Sequence, residues 1–402
     1  MILLLQKLRD TFRPDSCYKQ FFLSLLTIGL SYGLYKGVID NYLAEIVTMG
    51  EFERGVAEFF RELPGLLLVF ILAVFYTFSA ERLYKIGAVI MLCGMALLFA
   101  LPADRILVTL AICIYSLGEH IQLGMKNTLS LEYARPGLSG MALGLQNSVY
   151  QIGTLFGYFV VIAAFAFLSG MRAFKLFFLL AALLTALGLM QCLRITGHSE
   201  TDKTASRFYF RKKFTKYYFL EVFYGARKQV FFTFGPYVLI LFYKASTATI
   251  SLLFAISAIA CYFAAPLVGK IIDRLDYKIV MISDTIILVF VCMAYGFAHH
   301  IFPMPVAFVI CCVNYVLDSI ISLASMASNV YVQDISDSEE EMQATISTGI
   351  SVNHLITILI ALFGGWIWKV LGVETLFILS AILGLCNSAY AATIKGSGKV
   401  KA

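Results

Sequence analysis

The feature that most limits how this chain can fold is a row of about twelve apolar stretches, each long enough to cross a bilayer as a helix of about 20 residues. They fall at 20–43, 55–78, 84–101, 106–127, 139–168, 173–194, 214–242, 247–269, 279–298, 305–329, 343–368 and 373–394, and are called spans 1 to 12 below. Turn-forming breaks separate them: Leu101-Pro102-Ala103-Asp104, Arg135-Pro136-Gly137, Ser169-Gly170 and Phe302-Pro303-Met304-Pro305. In hydrocarbon every backbone N–H and C=O must find a partner inside its own segment, so stretches of this length are helices. The fold expected is an all-α integral membrane protein. Composition agrees, because only 14% of the 402 residues are charged and 60% are hydrophobic, against about 25% charged in a soluble domain. The segment Met1–Pro14 has too short an apolar run for a span or a signal peptide and reads as a lead-in helix. Nine cysteines, mostly inside apolar stretches, show no metal-ligand spacing and read as reduced side chains; no cofactor or metal is expected.

The net charge of +6 matters through its location. Positive residues cluster in alternate loops: Lys7, Arg9, Arg13 and Lys19; Arg82 and Lys85; Lys126 and Arg135; Arg194 through Lys216; Lys270, Arg274 and Lys278; Lys395, Lys399 and Lys401. By the positive-inside rule these loops, both termini and the linker 195–213 are cytoplasmic, in a plasma membrane. The charge is therefore a topology signal, and no nucleic-acid partner is expected. One inside segment, Asp334 through Glu341, is acidic, but acidic residues weigh little in that rule. Trp366 and Trp368 beside Lys369 read as interface anchors.

The chain also repeats itself. Tyr32-Gly33-Leu34-Tyr35-Lys36 in span 1 matches Tyr224-Gly225-Ala226-Arg227-Lys228 in span 7 at an offset of 192, and Glu81-Arg82-Leu83 falls on Asp273-Arg274-Leu275 at the same offset. A weaker match pairs Tyr115, Leu117 and Leu123 with Tyr315, Leu317 and Leu323. An even number of spans per copy gives parallel repeats about an axis along the membrane normal. The division expected is a six-helix bundle at 1–194, a linker at 195–213 and a second bundle at 214–402. With these features the sequence resembles the major facilitator superfamily over essentially its whole length. The superfamily's loop motif, roughly G-x-x-x-D-R-x-G-R/K-R/K, is similar to Gly269-Lys270-Ile271-Ile272-Asp273-Arg274-Leu275-Asp276-Tyr277-Lys278, which lacks the second glycine. The first copy, Thr77 through Lys85, has lost its leading glycine and carries Glu81 for the aspartate. The resemblance implies a gating latch at Glu81, Arg82, Gly269, Asp273 and Arg274; solvated loop charge is the alternative.

Charges inside spans carry the next signal. Lys36, Asp40, Glu119, Arg227, Lys228 and Asp318 lie within apolar stretches, and facing them all to lipid would cost roughly 15 to 20 kcal/mol at about 2.5 to 3.5 each. They must face water or one another. Lys36 and Asp40 share a helix face at i and i+4 and could pair. Further polar groups are Tyr32, Tyr224, Glu221, Asn314, Ser322, Gln122, Lys126, Asn127, Gln146, Asn147, Tyr150, Gln151, Asn353, His354 and His120. They sit on spans 1, 4, 5, 7, 10 and 11, whereas 3, 6, 9 and 12 read as nearly bare. The resemblance implies that spans 1, 4, 7 and 10 surround a central cavity, with 2, 5, 8 and 11 between the halves. Substrate contacts are expected at Lys36, Arg227, Lys228, Tyr32, Tyr224, Asn314, Gln146, Asn147, Asn353 and His354. Proton carriers are expected among Glu119, Asp318, Asp40 and His120, since burial and neighbouring charge set a carboxyl's proton affinity. Helix-to-helix hydrogen bonding is the competing reading for Gln146, Asn147 and Gln151, and core packing for His354. Arg54, Glu58, Arg61 and Glu62 read as a ladder carrying span 2 beyond the outer headgroups, or as a vestibule; His299 and His300 read as solvated loop residues.

No phosphate-cradling loop or nucleophile constellation occurs, so the chain reads as no enzyme. The function expected is secondary active transport, by alternating access, of a small organic solute. The cations favour an anionic group on that solute, proton coupling is plausible, and the carrier would be monomeric. Export of lipophilic or amphiphilic compounds and a non-transporting scaffold or sensor are the alternatives.

Overall fold

The computed structural model describes residues 2–75, 78–196 and 210–396; most of the linker read from sequence, 197–209, lies outside them. Among these residues the chain is helical, with a single isolated β-bridge between Phe12 and Ala134. Helix α1 (Ile2–Thr11) is the lead-in. Next come α2 (Tyr18–Asn41), α3 (Glu51–Val74), α4 (Ala80–Ala100), α5 (Arg105–Tyr133), α6 (Ser139–Phe165) and α7 (Gly170–Leu193). The second set is α8 (Thr215–Leu241), α9 (Thr247–Leu275), α10 (Tyr277–Ile301), α11 (Met304–Ile321), α12 (Met326–Ile335), α13 (Glu339–Leu371) and α14 (Val373–Ala391). A 3₁₀ turn at Ser322–Ser325 joins α11 to α12, so the two make one interrupted span. Ten helical segments among the described residues are long and apolar enough to cross a membrane. The remaining two of the twelve are α3 and α8, whose apolar character is diluted by six and four charged residues respectively.

Two compact units emerge from the contacts: residues 1–42 with 63–205, and 43–62 with 206–402. Within the first, α2 packs on α6 and α7, and α4 packs on α5 and α7. Within the second, α8 packs on α13 and α14, and α10 packs on α11 and α14. Counted by span, the two orders are the same: first on fifth and sixth, third on fourth and sixth. That is the packing counterpart of the sequence repeat.

Small residues set the closest approaches, since helices in lipid associate by backbone proximity and not by escape from water. Gly29 and Gly33 of α2 and Gly153 and Gly157 of α6 are both G-x-x-x-G pairs, and they lie against each other. A Cβ at Gly33 would run into the Thr154 carbonyl oxygen, and one at Gly157 would sit 2.7 Å from the Gly33 Cα. In the second unit Gly55 of α3 meets Ala361 and Gly365 of α13 in the same way.

The acidic segment that disagreed with the charge rule has a local explanation. Lys213 donates to Asp337 at 2.7 Å and to Glu341 at 3.1 Å, and Arg211 reaches Glu341 at 3.2 Å. The segment neutralises the end of the basic linker, and the Asp337 hydrogen bond holds the Lys213 ammonium above its ordinary pKa. Ser338 caps α13 by accepting from the Glu341 N–H. Trp368 departs from its expected role: it is buried against Phe234, and only Trp366 is exposed.

The close approach predicts opposite signs for one substitution type. Gly33→Ala should destabilise by about 1 to 3 kcal/mol through overpacking. Gly144→Ala, with open space around it, should be neutral or stabilise by roughly 0.5 to 1 kcal/mol through helix propensity. Thermal unfolding of the purified variants in detergent measures both.

Candidate functional site

The second unit holds a set of charges on α8, α10 and α11. Arg227 is 3% exposed and its Nη1 lies 2.8 Å from Asp284 Oδ2 on α10, while the guanidinium stands 4.8 Å over the Tyr224 ring. Asp318 on α11 is also buried, and it makes no hydrogen bond or ion pair among the described residues; its electrostatic neighbours are Arg227 and Lys228. Helical geometry accounts for the arrangement: successive residues on α8 point about 100° apart, so Arg227 is buried while Lys228 is exposed. Around this set, Glu221 accepts from Ser328 at 2.8 Å and Asn353 donates to it at 3.4 Å. Asn314 donates back along its own helix to the Ile310 carbonyl at 2.7 Å.

A second buried network runs along α3. Glu58 is fully buried and accepts from Arg54 at 2.8 Å, from Arg61 at 3.0 and 2.7 Å, and from Gln229 of α8 at 3.0 Å. Arg61 also pairs with Glu62, and Glu62 meets Nδ1 of His354 on α13 at 3.0 Å. Arg54 lies over the Tyr237 ring, whose hydroxyl donates to the Met49 carbonyl. The i, i+3 and i+4 spacing stacks these groups on one face, and that face is buried. The ladder is therefore turned into the protein and is not a solvated face. A carboxylate placed between two guanidiniums is satisfied inside the protein, at a charge density lipid would not accept.

In the first unit Lys36 donates to Asp40 at 2.9 Å, and Asp40 is 2% exposed. Tyr32 lies 6.0 Å from the Tyr150 ring, and Lys126 stands 4.4 Å over Tyr150. Glu119, half-buried on α5, is an electrostatic neighbour of Lys126. His120 turns back to Ser116, 2.8 Å from its carbonyl and 3.1 Å from its hydroxyl. Gln146 donates to Asn127 at 3.0 Å, while Asn147 is exposed.

The two latch motifs differ. Glu81 is buried and accepts from Tyr133 at 3.1 Å; Ser79 caps α4 by accepting from the Arg82 N–H, and the Arg82 side chain is exposed. Asp273 and Arg274 are exposed, and Gly269 has open space where a Cβ would stand. Asp276, not Asp273, is the buried acid of the second copy: at φ 80° it caps α10 by accepting from the Lys278 N–H at 2.9 Å.

Sequence reasoning missed Asp284 by treating span 9 as bare. The signal was present, because a single aspartate inside Ile279–Ala298 is as costly there as any on the cavity spans. Gln229 was missed as well, and nothing in its spacing marks it apart from its place one turn before Thr233, to which it donates at 2.8 Å.

Twelve helical spans in two like-packed units, with charges buried between the helices, define a polytopic α-helical membrane protein. Residues 217–395 match the family model of the Major Facilitator Superfamily, in agreement over that part of the chain with the resemblance read from the sequence. Among solved structures, the chain is similar to the nucleoside transporter NupG (17% identity, TM-score 0.72, covering 95% of this chain and 100% of that one). It is similar also to a D-xylose-proton symporter (14%, 0.68, 95% and 98%) and to a POT family transporter in complex with 5-aminolevulinic acid (11%, 0.71, 92% and 94%). No curated protein matches the sequence. At these identities the structures establish the fold alone.

The α3 network makes a stability prediction. Glu58→Ala strands Arg54 and Arg61 as buried cations and should cost about 3 to 5 kcal/mol. Adding Arg54→Ala should recover part of that loss, as shown by thermal unfolding of the single and double variants. Equal destabilisation by both would show that the pairing is not what Glu58 supplies.

Proposed function

We propose that the protein is a secondary active transporter that moves a small organic solute with an anionic group by alternating access, driven by protons. The observation that carries this reading is the charge set of the second unit. Arg227 is held by Asp284, Asp318 is buried beside it without a hydrogen bond among the described residues, and Lys228 on the next position of α8 is exposed. Asp318 is the proton site: taking up a proton removes one of the two negative charges near Arg227, and losing it restores the attraction, so its protonation biases how α8 and α11 sit. Lys228 and its repeat equivalent Lys36 are the anion-binding cations. Lys228 contributes more of the two, because Lys36 is already satisfied by Asp40. Tyr32, Tyr224, Asn314, Gln146, Asn147, Asn353 and His354 supply the remaining polar contacts, with Glu119, Asp40 and His120 as further proton-handling groups. Glu81, Arg82, Gly269, Asp273 and Arg274 form the gating loops. The functional halves are 1–194 and 214–402, joined by 195–213, in a plasma membrane with both ends of the chain in the cytoplasm and the carrier monomeric. Support for a small organic solute, though not for its charge, comes from the similar structures, whose names give a nucleoside, D-xylose with a proton, and 5-aminolevulinic acid.

Three outcomes test the proposal. In proteoliposomes Asp318→Asn should abolish pH-gradient-driven accumulation while keeping exchange of solute down its own gradient; intact accumulation would remove Asp318 from coupling. Lys228→Gln should weaken solute binding by about 1.5 to 3 kcal/mol, or roughly ten- to a hundred-fold, and normal affinity would end the anionic-solute reading. Orientation is checked by cysteine labelling in a Cys-free background. A cysteine at Lys213 should react only from the cytoplasm and one at Asp104 only from outside, and the reverse pattern would invert the topology.

A further inference from the structure

Outside the transport residues, the ends of α10 and α14 bring three metal-ligating side chains together. His299 and His300 are not in a loop, as the sequence suggested; they form the last turn of α10. Glu374 lies in the first turn of α14. His300 Nε2 is 2.8 Å from Glu374 Oε1 and His299 Nε2 is 3.3 Å from the same oxygen. One donor atom from each of the three side chains falls within 4.8 Å of the others.

Adjacent residues on a helix project about 100° apart, so two neighbouring histidines do not ordinarily aim at one point. Here they do, because each element holds its part of the arrangement. The His299 ring packs 4.6 Å from the Phe242 ring at the end of α8, and the two imidazoles lie 3.9 Å apart. On the other side Gly372 ends α13 and leads into α14 at φ 91°. The Glu374 carboxylate folds back over that glycine, where a Cβ would lie 2.6 Å from Oε2. The glycine both makes the turn and leaves room for the carboxylate.

We infer that His299, His300 and Glu374 form a binding site for a divalent transition-metal ion of the zinc class. Zinc takes imidazole nitrogen and carboxylate oxygen at about 2.0 to 2.2 Å in tetrahedral geometry, which sets ligand atoms roughly 3.3 Å apart. The His299 separation from Oε1, 3.3 Å, equals that value, and the His300 separation, 2.8 Å, would open by about 0.5 Å to admit the ion. Two histidines and a carboxylate fill three positions, and the fourth is open to water because the His300 side chain is 55% exposed. Two nitrogens and one oxygen favour zinc, nickel or copper over calcium or magnesium, which take oxygen ligands. Bound there, the ion staples the last turn of α10 to the first turn of α14. The competing arrangement has no metal: both imidazoles carry a proton on Nε2 and donate to one carboxylate oxygen.

The test uses the full-length protein, purified in detergent and stripped of metal with chelator. Titration with zinc chloride should show one saturable site per chain with a rise in unfolding temperature, since a ligand that binds only the folded state stabilises it. His300→Ala, at the exposed ligand, and Glu374→Gln, which keeps a hydrogen-bond acceptor, should each weaken zinc binding at least about tenfold. Both should leave the unfolding temperature without metal near that of the wild type. Cobalt in place of zinc should give a visible spectrum of nitrogen and oxygen ligation without a thiolate band. Three outcomes would overturn the assignment: no saturable binding at millimolar zinc, undiminished affinity in both variants, or a thiolate band, which would place the ion on cysteine.

Discussion

An ionised side chain inside a bilayer has to be answered by another polar group within the protein, and the helices that carry most of the charge here are arranged around that demand. Glu58 shows the condition in full. It is completely buried, and two guanidiniums and one amide converge on it from α3 itself and from α8. Arg227 with Asp284 and Lys36 with Asp40 meet the demand as ion pairs. Against these, Asp318 stands out as a carboxylate kept from water with only the long-range influence of Arg227 and Lys228. Among the described residues, Asp318 differs in this from Glu58, Asp284 and Asp40, each of which has a cation within 3 Å.

Most of the architecture was legible in the sequence because bilayer thickness converts directly into segment length. Twelve spans, a short lead-in helix and a twofold repeat can all be read from hydropathy and self-comparison. Residue phase along a helix was legible as well, so the pairing of Lys36 with Asp40 was available from an i, i+4 spacing. What could not be read was which helix supplies the partner across a packing interface. The same face of α3 that looks like a solvated charge ladder is buried once Gln229 and His354 are opposite it, and the sequence carries no mark of that facing. Trp368 fails for the same reason: a tryptophan beside a lysine has the composition of an interface anchor, but Phe234 covers it. Asp284 is a different kind of miss, a visible charge discounted because its neighbours were apolar.

The two units reach the same pairing of first and fifth spans by different contacts, and in the first unit glycine pairs set it. What the first unit's first span needs to lie against its fifth is closeness, and closeness there depends on the absence of side chains at a few positions. Gly33 against Gly157 meets that need with four small residues across two helices. The rest of both helices is then free to diverge toward the chemistry of one half or the other. In the second unit α8 and α13 use bulkier contacts, with Asn353 and Ile356 against Gly225, and the pairing order is unchanged.

The 3₁₀ turn at Ser322–Ser325 has a counterpart position in the first half but no counterpart structure, since α5 runs from Arg105 to Tyr133 as one unbroken helix. A continuous helix resists bending along its whole length, whereas a tightened turn with poorer hydrogen-bond geometry yields locally. The two halves are therefore alike in assembly and unlike in compliance. The softer point lies one turn past Asp318, so the buried carboxylate of the second half sits beside a break in its span that the matching span of the first half does not have.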